Sequence, residues 1–185
     1  MRAFDFDHTI YDGYSYRDFV FFTTARRPWV LLWLPVIIVV LLLKVCRLIK
    51  MKHVVEWVLW PYLRFKRIDE FIVKFWDKNE KKVGKWYLDM REDDVVISAT
   101  PSFFLEEICR RIGVKTLIAT EIDRKTGKVV DPYCYREGKL ERLRMAFGDS
   151  VRLQAYYTDT PKDSTLLGFA EEGYIVKKGK ITRVR

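Results

Sequence analysis

Short apolar runs that end in carboxylates or hydroxyls, separated by helical stretches, constrain this chain more than any other feature of its sequence. The first, RAFDF (2–6), reads as a strand running out into Asp5 and Asp7, and not as a secretory leader. From Asp93 onward the pattern repeats. DVVIS (94–98) is a short buried strand, and the helical run FFLEEICRRIG follows it with Gly113 as C-cap. KTLIAT (115–120) is another strand, and EIDRKTGKVVD reads as a hairpin turning at Thr126-Gly127. GKLERLRMAF has the spacing of a short amphipathic helix, while RLQAYYT (152–158) and GYIVK (173–177) are two more strands. Strands alternating with helices predict an α/β fold on a doubly wound, mostly parallel sheet. In such a sheet the carboxyl ends of the strands face one crevice, so the polar residues there share a site.

The alternation is interrupted once. Residues 12–92 carry no strand pattern, which divides the chain into a discontinuous core, 1–11 and 93–185, and a helical cap inserted after the first strand. Within the insertion, helical stretches at 53–66 and 68–87 follow an uncharged run from Trp29 to Leu43, WVLLWLPVIIVVLLL. A chain of 185 residues suits one domain carrying such an insertion. With 49% hydrophobic and 32% charged residues, it is neither a disordered chain nor a polytopic membrane bundle. The net charge of +9 implies an anionic partner. That charge is local: between Arg26 and Arg67, nine Lys or Arg against the single Glu56 supply +8 of it, bracketing the apolar run. A nucleic-acid groove would instead combine a polar basic channel with stacking aromatics, so no nucleic-acid partner is expected. Cys46, Cys109 and Cys134 lie far apart without a CxxC pair and read as free thiols of a reducing compartment.

The chemistry gathers at the strand ends. Asp5 and Asp7 leave the first strand two residues apart and can reach one site. The second strand ends at Ser98, and the strand closing at Thr158 is followed by Asp159 and Asp163. Carboxylates collected in one crevice repel one another unless a hard cation such as Mg²⁺ lies between them. Blander roles stand beside these. Asp5 and Asp7 also suit a turn, Ser98 and Asp163 also suit helix N-caps, and Lys139 shares its neighbourhood with several solvated cations. His8 reads as a local hydrogen-bonding side chain and His53 as a structural one.

Taken in order, Asp5-Phe6-Asp7-His8-Thr9, Ser98, Lys139 within Glu137-Gly138-Lys139-Leu140, and Asp159 with Asp163 resemble the successive motifs of the haloacid dehalogenase superfamily of phosphotransferases. The resemblance implies a Rossmann-like core with a helical cap after the first motif, and phosphatase chemistry through an aspartyl phosphate. It makes Asp5 the nucleophile and Asp7 the general acid and base. Ser98 and Lys139 would hold the phosphoryl oxygens. Mg²⁺ would be bound by Asp5, the Asp7 carbonyl and Asp159, with Asp163 in support.

Further segments narrow the resemblance. Arg26-Arg27-Pro28, the apolar run, Ser98-Ala99-Thr100-Pro101, Lys139-Leu140-Glu141-Arg142-Leu143 and Tyr157-Thr158-Asp159 are similar to the phosphatidylglycerophosphatase C and phosphoserine-phosphatase-like group. Thr160-Pro161 departs from that pattern, which has Ser after the acidic residue. The group implies a phosphorylated lipid as substrate, such as phosphatidylglycerophosphate. The apolar run would be roughly 22 Å long as a helix, short of a bilayer core of about 30 Å. Asp5 precedes it and Asp159 follows it, so a single crossing would separate two residues of one site. A re-entrant hairpin bent at Pro35, or an interfacial helix pair, is therefore expected on the cytoplasmic face of an anionic membrane. Trp29, Trp33, Trp57, Trp60 and Tyr62 suit the headgroup zone. Two other readings remain: the same chemistry on a soluble metabolite such as phosphoserine, with the run packed inside the cap, or a non-catalytic basic scaffold.

Overall fold

The computed structural model describes residues 1–87 and 92–185. After β1 (Arg2–Phe4) come α1 (Ser15–Thr24), α2 (Leu34–Val45), α3 (Met51–Leu63) and α4 (Ile68–Asn79), and the chain then returns to strand at β2 (Val95–Pro101). It continues through α5 (Ser102–Arg111), β3 (Thr116–Thr120), β4 (Ile122–Asp123) and β5 (Lys128–Val129). The final elements are α6 (Glu137–Phe147), β6 (Ala155–Thr158), α7 (Ser164–Phe169), β7 (Glu172–Lys177) and β8 (Lys180–Arg183). The main sheet has the order β3-β2-β1-β6-β7-β8, parallel except for β8, which runs antiparallel at the edge. This is the doubly wound, mostly parallel α/β fold the alternation predicts. Its strand order reverses between β1 and β6, the switch point where such sheets open a crevice.

The sheet forms because its strands are apolar on both faces. Successive side chains point to opposite sides, and here the two sides feed different cores. Ala3, Val95 and Ile97 pack with Leu143, Leu153 and Leu166, while Phe4 and Val96 pack with Phe104, Leu105 and Ile108. A near-continuous hydrophobic run is what a parallel strand covered on both faces requires. The second core extends into the helices inserted after β1: Phe19 of α1 and Phe75 and Trp76 of α4 close around Phe104, and the Trp76 indole N–H donates to the Phe104 carbonyl at 2.9 Å. Cys109 and Cys134 are buried free thiols, raised to about 12 by desolvation, and Cys46 is an exposed one.

Several local expectations are corrected. The stretch read as one helix over 68–87 stops at Asn79, and two short 3₁₀ turns follow. Gly84 N–H donates to the Ile10 carbonyl at 2.7 Å and Val83 bridges to Tyr11, so this segment is tied to the loop after β1 and cannot continue the helix. The end of the insertion read as 12–92, residues 88–91, lies outside the described residues. Pro35 does not bend the apolar run. It sits in the first turn of α2, where a missing N–H costs nothing, and helical backbone, 3₁₀ then α, covers Pro28–Val45, 18 residues. The chain reverses later, at Cys46–Lys50, with Arg47 at φ 61. Pro61 lies inside α3 and leaves the Trp57 carbonyl without its helical donor; the Trp33 indole N–H supplies one at 3.0 Å and so binds the run to α3. α1, α7 and β8 carry no signal that the periodicity reading detected.

Candidate active site

Parallel pairing in register puts the ends of β1, β2 and β6 side by side. Phe4 pairs with Val96 and with Tyr157, so Asp5 emerges between Ile97-Ser98 on one side and Thr158-Asp159 on the other. The Asp5 N–H donates to the Tyr157 carbonyl at 2.8 Å, holding its carboxyl at the switch point. Lys139 reaches this floor from α6. Its ammonium lies 3.1 Å from Asp5 Oδ1 and 2.6 Å from Asp163 Oδ2, and its residue is 3% exposed. Gly138 lets the first turn of α6 pack on the loop before it: a Cβ there would meet the Tyr133 carbonyl oxygen at 1.9 Å. Tyr156 OH accepts from Lys139 at 3.1 Å and donates to Asp163 Oδ2 at 2.8 Å, while Thr158 Oγ1 donates to the same oxygen at 3.2 Å.

Asp7 is held on the other side of the floor. Thr100 Oγ1 donates to its Oδ2 at 2.6 Å and the Ser15 N–H to its Oδ1 at 2.7 Å. His8, which follows it, adopts φ 56 and turns its ring against Tyr14 at 4.1 Å. Ser98 is buried within β2, next to an irregularity in the β2–β3 register, and its Oγ accepts from the Thr100 N–H at 3.1 Å. Burial dominates the electrostatics. Desolvation lifts the Asp5 carboxyl to about 7, against the pull of Lys139. It also raises Asp7, against the donors from Ser15 and Thr100, and raises half-buried Asp159. Desolvation opposes the charge on Lys139, but Asp5, Tyr156 and Asp163 outweigh it and hold the ammonium well above the usual lysine range.

These residues line a cleft of about 570 Å³, with Asp5, Asp7, Ser98, Lys139, Asp159 and Asp163 on its polar side and Met51, Val54, Val55 and Val58 of α3 on another. A larger cleft of about 940 Å³ is lined by His8 and Asp159, without Asp5 or Lys139 in its walls. The polar side suits a divalent cation by its chemistry: the donors are hard oxygens, and a cation would relieve the desolvated carboxylates. Among the described residues no three acidic, His or Cys side chains already form a cage, and Asp163 is spent on Lys139.

All six residues singled out in the sequence thus come to one cleft. The blander roles fare differently. Lys139 is not solvated. Asp163 occupies the N-cap position of α7 but makes no capping bond, and α5 starts after Pro101, leaving Ser98 no helix to cap. Sequence reasoning missed Thr100, Tyr156 and Thr158. Period-two spacing was the available signal, since each stands two residues along a strand from another member of the site or network, as Thr100 does from Ser98 and Tyr156 from Thr158.

Residues 3–168 match the model of the haloacid dehalogenase-like hydrolases. The chain belongs to that family. The expected Rossmann-like core therefore holds. Over 92 residues it is 35% identical to Protein CicA of Caulobacter vibrioides, an alignment covering 46% of this chain and 41% of CicA. Among solved structures, a protein of unknown function from Bordetella pertussis Tohama I matches with TM-score 0.73 at 19% identity, over 94% of this chain and 87% of that one. A phosphoserine phosphohydrolase-like protein from Francisella tularensis subsp. tularensis SCHU S4 matches with TM-score 0.58 at 14% identity, over 94% and 86%. At these identities the two structures speak for the haloacid dehalogenase-like fold.

Proposed function

We propose that this protein is a Mg²⁺-dependent phosphomonoesterase that works through an aspartyl phosphate on a membrane lipid phosphate such as phosphatidylglycerophosphate. The observation that carries the chemistry is Asp5, buried at the switch point beside Lys139 at 3.1 Å and sharing its cleft with Asp7. An Asp5 oxygen attacks phosphorus as Asp7 gives its proton to the departing ester oxygen. Asp7 then takes a proton from the water that attacks the aspartyl phosphate, releasing phosphate and restoring Asp5. Its raised proton affinity suits the first of these steps. Ser98 and Lys139 hold the phosphoryl oxygens throughout. Asp5, the Asp7 carbonyl and Asp159, with Asp163 nearby, would hold Mg²⁺, which when bound neutralises the phosphate that an anionic nucleophile must approach.

The lipid substrate rests on the inserted helices. Leu32, Ile38, Val39, Leu42 and Val45 are exposed, and only 11% of Pro28–Val45 is buried, which is not how a core helix packs. α2 packs on α3, and α3 supplies the apolar wall of the cleft, so an apolar surface runs up to the catalytic floor. β1 precedes this run and β6 follows it, yet the two pair in one sheet. An anchor made by this segment must therefore leave both on one side, which flanking Arg and Lys make the cytoplasmic one. Phosphate release from phosphatidylglycerophosphate in mixed micelles, compared with phosphoserine and with and without Mg²⁺, tests the proposal. Mg²⁺-dependent preference for the lipid is expected. Preference for phosphoserine would move the substrate to a soluble metabolite, and no release from either would overturn the phosphomonoesterase reading.

A further inference from the structure

We propose that Arg17 and Lys162 form a subsite for a second anionic group, one carried by the leaving group of the substrate; the inference rests on the phosphomonoesterase reading. Once a phosphoryl group lies against Asp5 and Lys139, the leaving group occupies the rest of the same cleft. That remainder is lined by α3, by Arg17 of α1 and by Lys162 of the loop before α7.

Both cations are unspent. Among the described residues Arg17 donates no hydrogen bond, and its one carboxylate contact, Asp18 Oδ1, is 4.0 Å away. The other Asp18 oxygen is already used by Lys82 at 2.8 Å and Tyr11 OH at 2.9 Å. The guanidinium lies 5.0 Å from the centre of the Tyr14 ring, a stacking that orients the fork without consuming its donors. Lys162 makes no ion pair and no side-chain hydrogen bond among the described residues either. Among the described residues Lys139 alone forms ion pairs with Asp5 and Asp163. Ser15, two residues before Arg17, holds Asp7 through its N–H, so the position of Arg17 is tied to that of the general acid.

An unspent guanidinium and ammonium facing one cleft fit an oxyanion, held bidentately by Arg and as a point charge by Lys. The phosphodiester of a lipid and the carboxylate of a soluble phosphoacid both supply that chemistry. The test uses the full chain with Arg17→Gln, Lys162→Gln, both together, and Arg17→Lys, each checked by circular dichroism for an unchanged fold. Steady-state kinetics are run on phosphatidylglycerophosphate in mixed micelles, on phosphoserine, and on p-nitrophenyl phosphate, whose leaving group bears no second anion beyond its phenolate. The ratio of kcat/KM for the preferred two-anion substrate to that for p-nitrophenyl phosphate should fall about tenfold in each Gln variant, mainly through KM, and Arg17→Lys should recover part of it. The arm that falls identifies the anion as phosphodiester or carboxylate. A ratio unchanged within twofold in the double variant, or a wild-type preference for p-nitrophenyl phosphate, overturns the subsite and leaves the phosphomonoesterase reading standing. Hydrolysis of none of the three by the wild type overturns both.

Discussion

Asp5 owes its chemistry to a balance between burial, which lifts its carboxyl to about 7, and the Lys139 ammonium, which favours the anion. Asp5→Asn keeps the shape and the Phe6 N–H bond to Oδ1 but removes the proposed nucleophile, so phosphate release should vanish while the circular dichroism spectrum is unchanged. Retained turnover would take Asp5 out of that role. Thr100 acts one bond further back. Its hydroxyl at 2.6 Å points the Asp7 carboxyl toward the cleft, and Thr100→Val removes that donor at nearly constant volume. General acid–base catalysis contributes roughly 10²–10⁴-fold, and losing the alignment should lower kcat by about tenfold or more. Thr100→Ser should restore most of the rate, because it restores the hydroxyl; equal rates for Val and Ser would refute the positioning role.

At the scale of elements, one carboxylate fastens the inserted helices to the core. Glu56 of α3 accepts from the Val129 N–H of β5 at 3.0 Å and lies 3.0 Å from His53 Nδ1, above a small cluster of Leu59, Ile122 and Val129. Desolvation works against its charge, but His53, the Val129 N–H and Lys128 together lower its proton affinity below the usual glutamate value of 4.5. A group whose folded pKa is depressed stabilises above its unfolded pKa and loses that contribution as pH falls through the folded one. Glu56→Gln should therefore destabilise the protein at pH 7 by about 1.5–3 kcal/mol, the range for hydrogen bonds to a charged group. The gap in Tm between variant and wild type should close as the pH drops below 4.5. A gap constant from pH 7 to pH 3 would show that the charge plays no part.

For the whole molecule the decisive surface is the outward apolar face of α2. Val40 is 5% exposed and belongs to the packing, whereas Leu34, Ile38, Leu41 and Leu42 are each at least 46% exposed. Replacing those four exposed residues with Ser should move the protein from the membrane to the soluble fraction without unfolding it, since no buried contact is removed. Rates on p-nitrophenyl phosphate should survive better than rates on a bilayer lipid. Tags at the two ends should be cut by protease from the same face, because β1 and β6 share a sheet. A wild-type chain that stays soluble without detergent would exclude the anchor.

The strand-and-helix alternation, the interruption after β1 and the polar residues at the strand ends are readable from the residues alone, because periodicity and residue chemistry are local properties. The state of Lys139 is not readable in that way. Whether that ammonium meets solvent or Asp5 depends on how α6 packs against the sheet, and there it lies 3.1 Å from Asp5 Oδ1. The N-cap position of Asp163 was legible, but its engagement with Lys139, Tyr156 and Thr158 follows from the pairing of β6 beside β1. α1 was not legible at all. YSYRDFVFFTT is rich in aromatic and β-branched residues with modest helix propensity, and the helix has no side-chain cap; burial of Phe19 against Phe75 and Phe104 holds it. Arg17 is placed by that helix. Contacts across long stretches of chain set which of several locally equivalent side chains are buried, paired or left free, and the tertiary structure alone fixes them.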